Sequence, residues 1–348
     1  MFVQNKEIML FPKRAASVII VSYQGGDILR ECIASIIHSK YVSEIILIDN
    51  CSSDGSLEAI KEFADDRLNV IRMSSNVGLC KARNLGASIA IGEYLAFVDQ
   101  DTKVHRNWLE EPLHLLDNHP EIGAVQCMNL SRERPEMISH GGIGLDGLYW
   151  NQQPSSILEH VKSYRHVLYP IGAGFVIRRD AWDAVKGFDP DFFVGYDDVD
   201  LGIRMWLRGF EVVCASKAIV YHDQARGHLR SRKGISVTFA FFGIKNLLSM
   251  WTKNLSFRMI IKHVLPFCPA IPVMALIESR AWGIMAILSF LRDLPAVFKK
   301  RAEVQSSRRI PDQQIIRALQ HIFPAQELAR EVTAIIHFIG RSVKRSVI

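Results

Sequence analysis

The sequence predicts an α/β protein built on a largely parallel sheet, and three observations carry that prediction. Apolar segments opening at Ser17, Glu44, Leu68 and Tyr94 recur every 24 to 27 residues, with helix-compatible stretches between them. That is the βαβ rhythm of a parallel sheet. The segments are continuous in hydrophobicity rather than alternating, as strands covered on both faces are. Tyr23, Asp49 and Asp99 stand at carboxyl ends of these segments. Ligands bind such sheets outside the carboxyl edge, so three loops converge on one crevice.

The elements follow in order. Ser17 to Ser22 is the first strand, Tyr23-Gln24-Gly25-Gly26 its turn, and Asp27 an N-cap for a helix over Ile28 to His38. Glu44 to Asp49 is the second strand. A loop of turn-forming residues from Asn50 to Gly55 leads to a helix over Ser56 to Ala64. Leu68 to Met73 is the third strand. Gly78 to Ile91 is a helix whose small residues Ala82, Gly86 and Ala90 suit close packing on a sheet. Tyr94 to Asp99 is the fourth strand and ends in Asp99-Gln100-Asp101.

Composition narrows the function. A chain of 348 residues can bury a large core. Its 49% hydrophobic content and mean hydropathy of +0.10 are high for a freely soluble enzyme and point to a membrane contact. A net charge of +6 and a pI near 9.0 call for an anionic partner: nucleic acid, nucleotide-sugar or acidic lipid. The six cysteines include no Cys-x-x-Cys pair, which excludes zinc-site spacing and a disulfide framework and fits a reducing setting. Residues 1–14 are a lead-in in which Gln4 to Glu7 precede Ile8 to Phe11, not a secretory signal.

Asp99 and Asp101 repel each other unless a cation sits between them. A hard divalent cation takes oxygen ligands and bridges phosphates. Two rival readings use the same fold. A dinucleotide dehydrogenase needs Gly-x-Gly-x-x-Gly after the first strand, and Gly25-Gly26 is a poor substitute. An aspartyl-phosphate phosphatase would use Asp99 as nucleophile, with Asp197-Asp198 as its distal acidic pair. That nucleophile belongs on the first strand of its fold, whereas three βα units precede Asp99 here.

The run Ser17 to Tyr23, Ile48-Asp49-Asn50-x-Ser52-Ser53-Asp54-Gly55-Ser56, Asn76-x-Gly78, Ala82-Arg83-Asn84-x-Gly86 and Asp99-x-Asp101 resembles the successive motifs of glycosyltransferase family 2. The likeness continues through Gly172-Ala173-Gly174, Gly187-Phe188-Asp189, Phe192-Phe193, Tyr196-Asp197-Asp198-x-Asp200-Leu201 and His222, and covers roughly residues 15 to 250. It implies a GT-A fold: a mixed sheet flanked by helices, with a nucleotide-sugar half over about 15–125 and an acceptor and base half over about 126–250. It also implies an inverting, metal-dependent enzyme of the rhamnosyltransferase-like branch, moving a sugar from a UDP- or dTDP-sugar to a hydroxyl. The family commonly has Glu-Asp where this chain has Asp197-Asp198.

The resemblance assigns roles to individual residues. Tyr23, Asp49, Asn76, Arg83 and Asp99 are expected around the nucleotide-sugar, with Asp49 on the base edge. Asp101 and His222 are expected as ligands of Mg²⁺ or Mn²⁺, which suit carboxylate and imidazole donors. Asp198 is expected as the base that takes the acceptor proton. Gly172, Ala173, Gly174, Trp150 and Asp197 are expected to line the acceptor. Arg204, four residues past Asp200, can pair with it on one helix face.

Residues 251–348 form a helical extension by this reading. Met259 to Ile277 is mostly apolar but contains Lys262, His263 and three prolines, and Ala281 to Leu291 is too short to span a bilayer. Apolar segments flanked by Lys299, Lys300, Arg301, Arg308 and Arg309 suit an interfacial anchor on an anionic leaflet. The expected location is the cytoplasmic face of the inner membrane, peripheral or monotopic. The expected acceptor is a saccharide or polyprenyl-linked saccharide of a surface polysaccharide, and no nucleic acid partner is expected. The competing readings for this tail are a helical subdomain packed on the catalytic domain and a transmembrane pair; for the whole chain, the competing reading is an inactive sugar-binding membrane scaffold.

Overall fold

The computed structural model describes residues 15–145, 155, 164–222, 230–231, 234–235, 237–261 and 281–315. Strands β1 (Ala16–Ser22), β2 (Val42–Asp49), β3 (Leu68–Arg72) and β4 (Tyr94–Asp99) alternate with helices α1 (Gly26–Ile37), α2 (Ser56–Ala59) and α3 (Leu79–Ile89). These four strands are parallel, in the order β3-β2-β1-β4. Then come β5 (Lys103–Val104), α4 (Glu110–Asn118), β6 (Ile122–Leu130), β7 (Ile138–His140), β8 (Tyr164–His166), β9 (Phe175–Arg178), α5 (Arg179–Val185), α6 (Asp197–Leu207) and β10 (Glu211–Tyr221). Strand β9 runs antiparallel between β4 and β6, and β10 runs parallel to β6, so the sheet continues β4-β9-β6-β10-β5. A small ribbon, β11 (Arg230–Ser231) with β12 (Gly234–Ile235), precedes α7 (Val237–Asn254), α8 (Phe257–Met259) and α9 (Ala281–Ser306).

Alternate residues of the continuous apolar strands enter two separate cores. Ile19, Leu95 and Phe97 face one layer, while Val18, Ile20, Ala96 and Val98 face the other. Phe97 anchors the first layer, stacked 5.0 Å from Phe175 and 4.9 Å from Trp182. Gly86 lets α3 lie close on the sheet, since a Cβ there would sit 2.6 Å from Ile19 Cγ2.

Some expected boundaries move. The N-cap of α1 is Gly25, and Asp27 lies inside the first turn, where its charge still complements the helix dipole. Helix α2 stops at Ala59, not Ala64: once Ile60 is seated in the core, Lys61, Glu62 and Ala64 are all exposed. The expected break at residue 250 falls inside α7.

Helices α7 and α9 pack on the sheet domain through paired charges. Lys253 reaches Asp189 at 2.5 Å and Asp200 at 2.9 Å, and both carboxylates are buried. Burial pushes the Asp200 carboxyl up, Arg204 and Lys253 pull it down, and the net result lies below its ordinary value. The Asp200–Arg204 pair expected from spacing forms at 2.8 Å. The carbonyls ending α7 are capped from α9 and beyond: Arg301 donates to Thr252 O, Gln305 to Lys253 O, and Arg308 to Asn254 O. Among the described residues, no helix is long and apolar enough to cross a membrane.

Candidate functional site

The carboxyl ends of β1, β2 and β4 meet at one edge because the three strands are parallel and in register, with Ser22 beside Asp49 and Val21 beside Asp99. Gln100, between the two aspartates, stitches β4 to β1. Its Oε1 accepts from the Tyr23 N–H at 2.9 Å and from Ser22 Oγ at 2.9 Å, and its Nε2 donates to the Tyr23 carbonyl at 3.2 Å. Tyr23 is 43% exposed.

Asp49 is fully buried and accepts from the Ser52 N–H at 3.2 Å, with Arg72 Nε 3.6 Å away. The helix that follows is capped by Gly55, so Asp49 is no N-cap. Asn76 accepts from Asn50 Nδ2 at 2.8 Å and from the Gly78 N–H at 3.0 Å, which shapes the turn into α3. Gly78 is required in that turn: its φ is +87°, and a Cβ would sit 2.7 Å from the Phe193 ring.

Asp99, Asp101 and His222 each offer a ligand atom, all within 4.8 Å of one another. Long strand β10 delivers His222 to the end of β4, where its Nε2 lies 3.3 Å from Asp101 Oδ1. Burial pushes the Asp101 carboxyl up, the hydrogen bond and charge of His222 pull it down, and it settles below its ordinary value. Two carboxylates and one imidazole form a donor set that fits Mn²⁺, and also Mg²⁺ through its oxygens. Arg132, which sequence reasoning did not single out, donates to the Asp101 carbonyl at 3.1 Å and pairs with Glu31. No local motif marks it, because the contact depends on strand order.

Arg83 joins this site to the acidic cluster. Only 3% exposed, it donates to Asp99 Oδ1 at 2.6 Å, Asp197 Oδ2 at 2.9 Å and the Gly172 carbonyl at 3.3 Å, and its guanidinium lies 5.2 Å from the Phe188 ring centre. Arg83, expected at the nucleotide, is thus a buried bridge between Asp99 and Asp197. Gly172, Ala173 and Gly174 are likewise turned inward rather than toward an acceptor. A Cβ on Gly172 would meet Arg83 Nη2 at 2.6 Å, and Ala173 is 1% exposed. Asp197 is a buried partner of Arg83 rather than an exposed acceptor contact, and burial pushes its carboxyl up against the pull of Arg83. Trp150 lies outside the described residues.

Asp198, half-buried in the first turn of α6, accepts from the Val199 N–H at 2.8 Å. Burial, then the Asp197 charge beside it, push its carboxyl up to about 7. A carboxylate poised there serves as a proton acceptor at neutral pH.

The sheet order and the carboxylate-histidine edge define a GT-A-type domain. Residues 17–185 match the family described as Glycosyl transferase family 2. The chain is 29% identical over 223 residues to the O-antigen biosynthesis protein RfbC of Myxococcus xanthus, across 60% of this chain and 17% of that protein. GalNAc-T7, solved with UDP, GalNAc and Mn²⁺, superposes with a TM-score of 0.57 at 18% identity, over 81% of this chain and 56% of that one. The mannosyltransferase PcManGT from Pyrobaculum calidifontis, solved with GDP-Man and Mn²⁺, gives 0.50 at 17% identity, over 87% and 85%. The chain spans less than half the length of the curated relatives it matches first. It carries a glycosyltransferase family 2 domain. Asp99 on the fourth strand, held by Arg83, leaves the phosphatase reading without its first-strand nucleophile.

Proposed function

We propose that the chain is an inverting, metal-dependent glycosyltransferase that moves a sugar from a UDP- or dTDP-sugar to a hydroxyl of a saccharide or lipid-linked saccharide in surface polysaccharide synthesis. The observation that carries this reading is the convergence of Asp99, Asp101 and His222 within 4.8 Å, one guanidinium away from Asp197-Asp198. Asp101 and His222, with Asp99 beside them, would hold Mg²⁺ or Mn²⁺. When bound, that cation supplies charge neutralisation for a leaving diphosphate.

The chain's own residues supply the rest. Tyr23 and Asn76 border the base and ribose pocket, with the buried Asp49 holding the Ser52 backbone beside it. Asp198 accepts the proton of the acceptor hydroxyl as that oxygen bonds to the anomeric carbon. The bond from that carbon to the diphosphate oxygen breaks on the opposite face, so the configuration inverts and the diphosphate leaves with the electron pair. Asp197 and Arg83 hold the α6 terminus in place.

Peripheral attachment to the cytoplasmic face of a membrane is part of the proposal. Helix α9 exposes Ile284, Met285, Leu288, Leu291 and Phe298 along one side, with Arg292 and Lys299 among them. Flotation with anionic vesicles, lost at high salt or on Leu288→Glu/Leu291→Glu, tests the attachment. The catalytic reading is tested with a panel of UDP-, dTDP- and GDP-sugars, with and without Mn²⁺. A matching donor at about a hundred times its Kd should stabilise the fold by about 2.7 kcal/mol. The gain should require the cation and disappear in Asp101→Ala. If no nucleotide-sugar stabilises the chain and none is hydrolysed with either cation, the proposal is wrong.

A further inference from the structure

A cavity of about 450 Å³ lies between the α5–α6 segment and α9. That is within the size range of small-molecule sites, about 300–1,000 Å³. It is not the carboxylate site. Asp198 stands in the first turn of α6 and Leu207 closes the cavity at the other end, nine residues on, about 14 Å along the axis at about 1.5 Å per residue.

We infer that this cavity binds a phosphate-bearing amphiphile. Its apolar side is Val185, Phe188, Leu207 and Val304. Its cations divide into two groups. Lys253, Lys300 and Arg204 are engaged by Asp189, Asp191 and Asp200, and Lys186 pairs with Glu303 at the rim. Arg208 and Lys299 also line the cavity, and among the described residues neither is in an ion pair. Two cations outside any ion pair, Arg208 and a Lys299 that feels only the nearby charge of Glu303, over an apolar wall match an anionic head carrying hydrocarbon. An inorganic anion would leave the wall wet, and a neutral apolar ligand would leave the cations without a counter-charge.

A second observation points the same way. The wall supplied by α9, including Ala296, Lys299 and Val304, belongs to the helix whose outer side is the exposed stripe of Leu288, Leu291 and Phe298. A ligand drawn from a membrane surface would therefore arrive beside the opening. The claim concerns binding, not turnover, and stands apart from the proposed reaction.

Two sources share this chemistry, a prenyl phosphate and a glycerophospholipid, and the experiment separates them. Titration calorimetry on the full chain uses farnesyl phosphate, monomeric dihexanoyl-phosphatidylglycerol, dihexanoyl-phosphatidylcholine and inorganic phosphate. One of the two anionic amphiphiles should bind at least about tenfold tighter than the zwitterionic lipid and inorganic phosphate, roughly one charge-assisted contact in worth. The tighter of the two names the source. Arg208→Glu/Lys299→Glu, and separately the cavity-filling Ala296→Trp, should each weaken that binding about tenfold or more while melting like the parent. Absence of binding by both anionic amphiphiles, equal binding of inorganic phosphate, or unchanged affinity in both variants overturns the inference.

Discussion

Replacing Asp198 by Asn should remove turnover and at the same time stabilise the fold. The Asp198 carboxyl is raised from an ordinary 3.8 to about 7, first by burial and then by Asp197. At about 1.36 kcal/mol per pH unit, the ionised form costs the native state about 4 kcal/mol as a ceiling. Partial exposure to solvent brings this to about 2 kcal/mol. The sign follows from proton counting. Between pH 3.8 and about 7 the folded chain binds more protons at this site than the unfolded chain, so stability falls as pH rises through that window and stays low above it. Asn carries no such cost. Asp198→Asn should therefore melt like the parent near pH 4 and gain about 2 kcal/mol by pH 8, read from thermal or urea unfolding across that range. Turnover measured in parallel should be lost while donor-induced stabilisation survives. A stability difference that is flat with pH, or a variant that keeps its turnover, would refute the reasoning.

At donor concentrations well below saturation, the parent's turnover should rise with pH through about 7 and then level off, as a free-enzyme base with that affinity for protons dictates, and a rate that falls across this window would contradict the assignment of Asp198. Asp101→Ala should lower turnover by about a hundredfold or more and abolish its dependence on added Mn²⁺, checked by cation titration. Lys253→Met leaves Asp189 and Asp200 short of a buried partner and should cost about 3 kcal/mol in urea unfolding. Gly86→Val forces a side chain onto Ile19 and should cost about 1–3 kcal/mol, with no change in the pH profile of whatever activity remains.

Much of this fold was legible because its strands are buried on both faces. A continuous apolar run such as Tyr94 to Val98 admits few other readings, and the carboxylate at its end marks the sheet edge. The metal-type cluster was legible for the same reason, since Asp101 and His222 each follow a strand end. What escaped is what depends on distance in sequence. Arg83 lies on α3, where the family resemblance sets it beside the nucleotide-sugar; only the approach of α6, 114 residues later, makes it a buried bridge. Gly172 reads as a ligand-approach turn until Arg83 is found filling the space where its Cβ would be. Lys253 and Asn254 sit past the expected domain end, and their partners Asp189 and Asp200 lie more than 50 residues upstream. No local pattern announces a pairing of that length.

Sharing a single guanidinium between Asp99 and Asp197 ties two subsites into one electrical circuit. Whatever neutralises Asp99 removes a negative neighbour of Asp198 and frees the field of Arg83 to act on α6; both changes ease the loss of a proton from Asp198. Loading one side of the crevice thus arms the other. For the proposed reaction, that coupling of three side chains favours a donor-first order and needs no moving part.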